Sequence, residues 1–225
     1  AFSDYFFSIF YGPPSSWYTM IDYLFMRENG IFSIPLMVMA TYIFLFVLFG
    51  AILVRSGAGR FFINVAMALT GSKVGGPAKA SVVSSCLMAS VSGSAVANVV
   101  TTGSFTIPLM KRIGYRNYFA GAVEACASSG GQIMPPVMGA TAFLIAEFLQ
   151  MSYWSVCVAA FLPAIAYYTT LLAQVDLEAA KKGLEGLPRE SLPSLRKTLM
   201  GGWQYLLPFA LLLFFLGILR YSAQT

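Results

Sequence analysis

Residues 90–108, SVSGSAVANVVTTGSFTIP, place hydroxyls and one carboxamide at close spacing in a stretch without a single charge. Ser90, Ser92, Ser94, Asn98, Thr101 and Thr102 supply neutral oxygen and amide groups, and Ser92-Gly93-Ser94 reads as a helix break. A second break follows in SSGGQIMPP, where Gly130, Gly131, Gln132, Pro135 and Pro136 interrupt an otherwise apolar run. Adjacent glycines and adjacent prolines cannot continue a regular helix without losing backbone hydrogen bonds. Helix ends that face one another offer carbonyl oxygens to a cation and N–H groups to an anion. Hard oxygen ligands without a cluster of carboxylates suit a monovalent ion such as Na+ better than Ca2+. The chemistry expected of these residues is therefore reversible capture of an ion and a small solute.

Glu124 is the one acid well inside a hydrophobic segment. An intramembrane carboxylate is a functional candidate by default, for ion or proton coupling, with a salt link or hydrogen bond as the structural alternative. Glu147 falls near the far end of its segment and reads as structural. Ser81, Ser84 and Ser85 read as packing residues, because small side chains let helices approach closely and hydroxyls can bond back to their own helix. Pro108 reads as shaping the return arm.

The elements that must hold these groups are membrane helices. The chain has 225 residues, 58% hydrophobic and 10% charged, with a mean hydropathy of +0.73. Soluble domains carry about 25% charged residues, so this chain lacks the polar surface for water and is expected to be all-α, polytopic and embedded in a lipid bilayer. Residues 33–54 are uncharged and long enough to span. The Gly-rich basic stretch up to 75 reads as an interfacial helix and loop. Residues 80–110 pose a conflict: 31 uncharged positions bounded by Lys79 and by Lys111 and Arg112. One helix would measure about 46 Å and place basic residues on both sides of the membrane. Both difficulties vanish if the segment enters, turns at 92–94 and returns as a re-entrant hairpin. Residues 117–150 read as one discontinuous helix with an unwound middle, 153–175 as a spanning helix, 176–200 as a charged linker and 201–219 as a last helix. With the hairpin mouth on the cytoplasmic side, 12 of the 14 basic residues fall there, leaving Arg27 and Arg220 opposite, as the positive-inside rule prefers.

Several functions are disfavoured. The +5 charge is dispersed between hydrophobic segments rather than gathered in a stripe, which argues against nucleic acid. The chain has no His, and Lys79 and Lys111 belong to the hairpin mouth, so a serine nucleophile at the tip lacks a base; no enzyme is expected. Cys86, Cys126 and Cys157 are isolated and expected as buried small hydrophobes. The opening AFSDYFFSIF lacks Met and a basic leader, as an interior stretch of a longer polypeptide would, and 1–32 reads as a preceding extramembrane segment.

SVSGSAVANVVTTGSFTIPLMKRIGY followed by AGAVEACASSGGQIMPPVMGATAFLIAE strongly resembles the large membrane subunit of tripartite ATP-independent periplasmic (TRAP) transporters, most closely the fused permeases that work with TAXI-type binding proteins. The resemblance implies an elevator-type secondary transporter in a bacterial or archaeal cytoplasmic (inner) membrane, driven by a Na+ gradient. A soluble periplasmic protein delivers a small organic anion, often a carboxylate, and a small membrane subunit or its fused equivalent completes the assembly. Carried onto this chain, Ser90, Ser92, Gly93, Asn98, Gly130, Gln132 and Pro135 are implied around Na+, with many ligands being backbone carbonyls. Ser94, Asn98, Thr101, Thr102 and Gln132 are implied toward the solute. Such permeases have two inverted halves, and this chain shows one hairpin and one broken helix, so it is expected to be the first half and to need its missing second half. A channel-like pore, or a proton-coupled transporter using Glu124, are the competing expectations.

Overall fold

The computed structural model describes residues 16–27 and 30–217. Residues 1–15, 28 and 29 of the segment 1–32 read as extramembrane lie outside them, as do Arg220 and the final two positions of the expected last helix. Every regular element among the described residues is helical. A short exposed helix α1 (Trp17–Met26) opens with Ser16, whose side chain accepts the Tyr18 N–H at 3.1 Å. A continuous apolar helix follows over Ile34–Arg55, built from α2 (Ile34–Val38), a π segment (Met39–Ile43) and α3 (Phe44–Arg55).

Helix α4 (Ala58–Thr70) is amphipathic, with Phe61, Phe62, Ala66 and Met67 turned inward. Helices α5 (Gly76–Ser92) and α6 (Ala95–Arg112) form the expected helical hairpin. Gly75 and Gly93, both left-handed, bracket α5, and Ser94 caps α6 by accepting the Ala97 N–H at 3.3 Å. Lys111 and Arg112 sit in the last turn of α6, where cations favour the carbonyl end. The arms have 17 and 18 residues, about 25 and 27 Å at 1.5 Å per residue. The first arm starts ahead of the uncharged stretch 80–110, because Lys79 lies inside α5 rather than before it. Its ammonium pairs with Asp176 on the neighbouring long helix.

Helix α7 (Asn117–Gly130) ends in tight turns, and the chain runs irregularly to α8 (Ala140–Phe148), as the glycine and proline pairs require. Helix α9 (Tyr153–Lys181) begins at Ser152, which accepts the Ser155 N–H at 3.2 Å. It continues six residues past the expected end at 175, where Asp176 and Glu178 are paired with Lys79 and Lys182. A 3₁₀ turn (Arg189–Ser191) leads to α10 (Leu195–Gly202), a 3₁₀ turn (Trp203–Tyr205) and α11 (Leu206–Gly217). Ile34–Arg55, Tyr153–Lys181 and Leu195–Phe215 are each long and apolar enough to cross a membrane.

The main core lies where the hairpin packs on α7 and α9, through Ala78, Val82, Met110, Ala120, Val123, Ala127, Val175 and Ala179. Small residues at these positions bring helix backbones close, which is how helices associate where no water drives them together. Large apolar side chains point outward elsewhere, such as Val96, Val100 and Leu162, each at least 70% exposed. Cys157 is buried and Cys86 half-buried, but Cys126 is exposed on a face of α7 left open in this chain, which corrects the expectation for that residue.

Candidate functional site

The two breaks meet. The Val137 N–H from the unwound segment donates to the Ser90 carbonyl of the hairpin tip at 3.2 Å. Gly93 has φ +62°, and a Cβ built on it would lie 2.1 Å from the Met138 carbonyl oxygen, so only glycine serves that turn and that approach. One turn away, a Cβ on Gly131 would lie 1.8 Å from the Ala89 Cβ, so the unwound chain sits directly on α5. Backbone polar groups at such depth are tolerated only when buried in protein or lining a cavity.

A cavity of about 320 Å³ opens at this junction. Ser92, Gly93 and Ser94 line it from the tip, Gln132, Val137 and Met138 from the unwound segment, and Ile43 and Phe46 from the helix opposite. Ile43 closes the π segment, a departure from α geometry often found beside functional sites. Tyr153 of α9 fixes the unwound chain from behind, donating its hydroxyl toward the Pro136 and Val137 carbonyls at 2.9 and 2.5 Å. Its ring stacks on Phe143 with centroids 4.3 Å apart. Tyr167 and Tyr168 donate to the Cys126 and Ala127 carbonyls at 2.8 and 2.9 Å, occupying acceptors near the end of α7.

The residues singled out in the sequence divide into four groups. Ser92, Gly93, Ser94 and Gln132 reach the cavity. Ser90 shares its carbonyl with Val137 while its hydroxyl bonds back to Leu87, Gly130 packs against the Tyr167 ring, and Pro135 joins Pro136 through a cis peptide. Asn98 and Thr102 point into the hairpin: Asn98 Nδ2 donates to the Ser85 carbonyl at 3.0 Å, tying the two arms together. Thr101 bonds back to Ala97 at 2.7 Å and lies against Gly59 of α4.

Glu124 is fully buried between the arms and α7. Its Oε2 accepts the hydroxyls of Ser81 and Thr106, both at 2.6 Å. Its Oε1 accepts Ser85 at 2.9 Å and the Thr102 hydroxyl, with Ser128 at 3.4 Å. Ser81 and Ser85 were expected only to pack; that holds for Ser84, which bonds back to the Ser81 carbonyl at 3.1 Å, but not for these two. The signal available was spacing: Ser81 and Ser85, Thr102 and Thr106, Glu124 and Ser128 are each four residues apart, one face of three different helices.

A multi-pass helical membrane protein with paired helix interruptions beside a cavity is the class that fold and site define. The family model described as tripartite ATP-independent periplasmic transporter, DctM component, matches residues 3–224, and the chain belongs to that family. It is 32% identical over 160 residues to the C4-dicarboxylate TRAP transporter large permease protein DctM of Pseudomonas aeruginosa, covering 69% of this chain and 37% of that one. It is 30% identical over 171 residues to the isethionate TRAP transporter permease protein DctMQ of Oleidesulfovibrio alaskensis, covering 76% and 26%. With the 2,3-diketo-L-gulonate TRAP transporter large permease protein YiaN of Escherichia coli it shares 26% over 196 residues, covering 85% and 45%. The chain spans less than half the length of each of these relatives.

Proposed function

We propose that this chain is the first half of the permease subunit of a secondary transporter that imports a small organic anion of the carboxylate class. Import is coupled to a Na+ gradient, and a periplasmic substrate-binding protein, here the TAXI type, supplies the solute. The observation that carries this reading is the junction of the two breaks. The hairpin tip and the unwound segment share a backbone hydrogen bond and border an open cavity of about 320 Å³, where Ser92, Ser94, Thr141 and Gln132 stand among apolar residues such as Ile43, Phe46 and Phe143. Neutral oxygens in that number suit a dehydrated monovalent cation, and the N-terminus of α6 beside it favours an anion. The named relatives are transporters of C4-dicarboxylates, isethionate and a diketo sugar acid, all organic anions.

In this reading the hairpin is re-entrant, the second half of the permease supplies a matching hairpin, and a small membrane subunit or its fused equivalent completes the scaffold on which the hairpin body moves as an elevator. The work is transport rather than catalysis, in a cytoplasmic (inner) membrane. Proton coupling through the buried Glu124 is the competing reading.

The test is uptake of labelled C4-dicarboxylates and sulfonates into liposomes by the full-length permease with its small subunit and binding protein. Uptake that requires both the binding protein and an inward Na+ gradient is expected. Downhill flux indifferent to Na+ and to the binding protein would make the protein a pore, and uptake that follows a pH gradient instead would move the coupling to protons.

A further inference from the structure

The cavity at the junction has two unlike sides. Ser92, Ser94, Gln132 and Thr141 stand where the hairpin tip, the unwound segment and the start of α8 come together. All four side chains are neutral, and the Gln132 amide and the Thr141 hydroxyl have no hydrogen-bond partner among the described residues. Phe46 and Val47 of α3 supply the other side, and Phe143 of α8 continues it. Among the described residues no charged side chain lines the cavity. The apolar side is held by its own ring contacts. Phe143 is 5% exposed, with Tyr153 nearly parallel to it at 4.3 Å between centroids, Tyr42 at 6.0 Å and Phe46 tilted at 5.0 Å. Val47, next along α3, is 54% exposed and offers surface that a solute can cover. A wall formed in advance costs a solute little ordering.

A solute whose charged end meets the four neutral groups lays its other end on Phe46, Val47 and Phe143. A methyl or methylene leaves water favourably there. A second carboxylate, or a row of hydroxyls, would lose its water at the same place without gaining a partner. We infer that the solute is a monoanion with an apolar body, a straight or branched monocarboxylate, and that Phe46, Val47 and Phe143 select it over dicarboxylates and sugar acids. At about 30 Å³ for each molecule of liquid water, a cavity of about 320 Å³ has room for about ten non-hydrogen atoms, which sets the scale of the solute. This rests on the reading of the cavity as the solute site and narrows the class of solute. It is indifferent to which ion drives transport.

The test is a thermal-stability titration of the purified full-length permease, without its binding protein, so that only the permease's own selection is read. The ligands are propanoate, butanoate, pentanoate and hexanoate, with succinate, gluconate and uncharged pentanol beside them, at fixed Na+ concentration and ionic strength. The half-saturating concentration should fall about two- to fourfold for each added methylene until the cavity is full. Succinate and gluconate should bind at least about tenfold more weakly than pentanoate, since each sets polar groups against the apolar wall. Pentanol has the body without the charge and should give no saturable stabilisation. Phe46→Ser should flatten the series. Because Phe46 also packs on Phe143, Val47→Thr serves as the milder variant: it is close in volume, lies at an exposed position and should weaken pentanoate several-fold while sparing propanoate. A flat series in the wild type, tighter binding of succinate than of pentanoate, saturable stabilisation by pentanol equal to that by pentanoate, or a pentanoate midpoint unmoved in both variants overturns the inference and leaves the transporter reading standing. If neither the monocarboxylates nor succinate nor gluconate stabilises the permease, the cavity is not a carboxylate site, and the reading on which the inference rests falls with it.

Discussion

The interior of the hairpin and its tip are both polar, yet they are built in opposite ways. Around Glu124, side chains from three helices saturate one carboxylate, the contacts are short, and no exposed surface remains. At the tip, backbone groups make the connections, through the Val137 N–H to Ser90 and the close approach of Gly93 to Met138, and open space lies beside them. A saturated network rigidifies the element that contains it. Interrupted helices beside a cavity leave polar groups for a ligand to complete. The comparison separates two tasks within one hairpin: tying its arms to α7, and exposing a binding surface.

The contrast breaks most visibly at Gly93. Gly93→Leu forces a side chain into the Met138 carbonyl at a positive φ, and uptake by the full transporter should fall by about a hundredfold or more while membrane insertion persists. Normal uptake by that variant would remove the tip from the site. Thr106→Val removes a donor to the buried carboxylate and should cost about 1 to 3 kcal/mol of stability, read by denaturation of the purified permease. A loss within about 0.3 kcal/mol would mean that the cage is slack. Asn98→Ala deletes the amide that joins the arms and should weaken Na+-stimulated substrate capture by about fivefold, equivalent to ~1 kcal/mol. Unaltered Na+ dependence would place Asn98 outside the working network.

Tyr153→Phe keeps the Phe143 stack and loses only the hydroxyl that holds the Pro136 and Val137 carbonyls. It should raise the apparent Km for Na+ by a few fold, with the maximal rate less affected; an unchanged Km would show that the unwound chain holds its shape unaided. The smallest effect belongs to Lys79→Ala. Its Asp176 partner is more than half exposed, so the pair should contribute at most about 0.5 kcal/mol and leave uptake intact.

The hairpin and the broken helix were legible in the sequence because glycine and proline act locally, on the backbone. Element ends were less so. Lys79 read as a boundary and Asp176 as linker, yet each neutralises the other and both lie inside helices. The purpose of Ser81, Ser85 and Thr106 was hidden, since a hydroxyl that bonds back to its own helix and one that donates to a carboxylate 43 residues away look alike in a linear chain. Thr101 and Thr102 illustrate the same limit: adjacent residues of one type, one turned to α4 and the other to Glu124.

In the proposed transporter Na+ acts at the hairpin tip, and thiol protection tests this most directly. In a full-length permease lacking Cys86, Cys126 and Cys157, single cysteines would be placed by Ser94→Cys at the tip and by Gln150→Cys in the exposed turn after α8. Replacing choline chloride by NaCl should slow modification of the Ser94→Cys thiol by a membrane-impermeant maleimide several-fold and leave the Gln150→Cys rate unchanged. Equal rates in both salts at Ser94→Cys, or the same slowing at both positions, would contradict it.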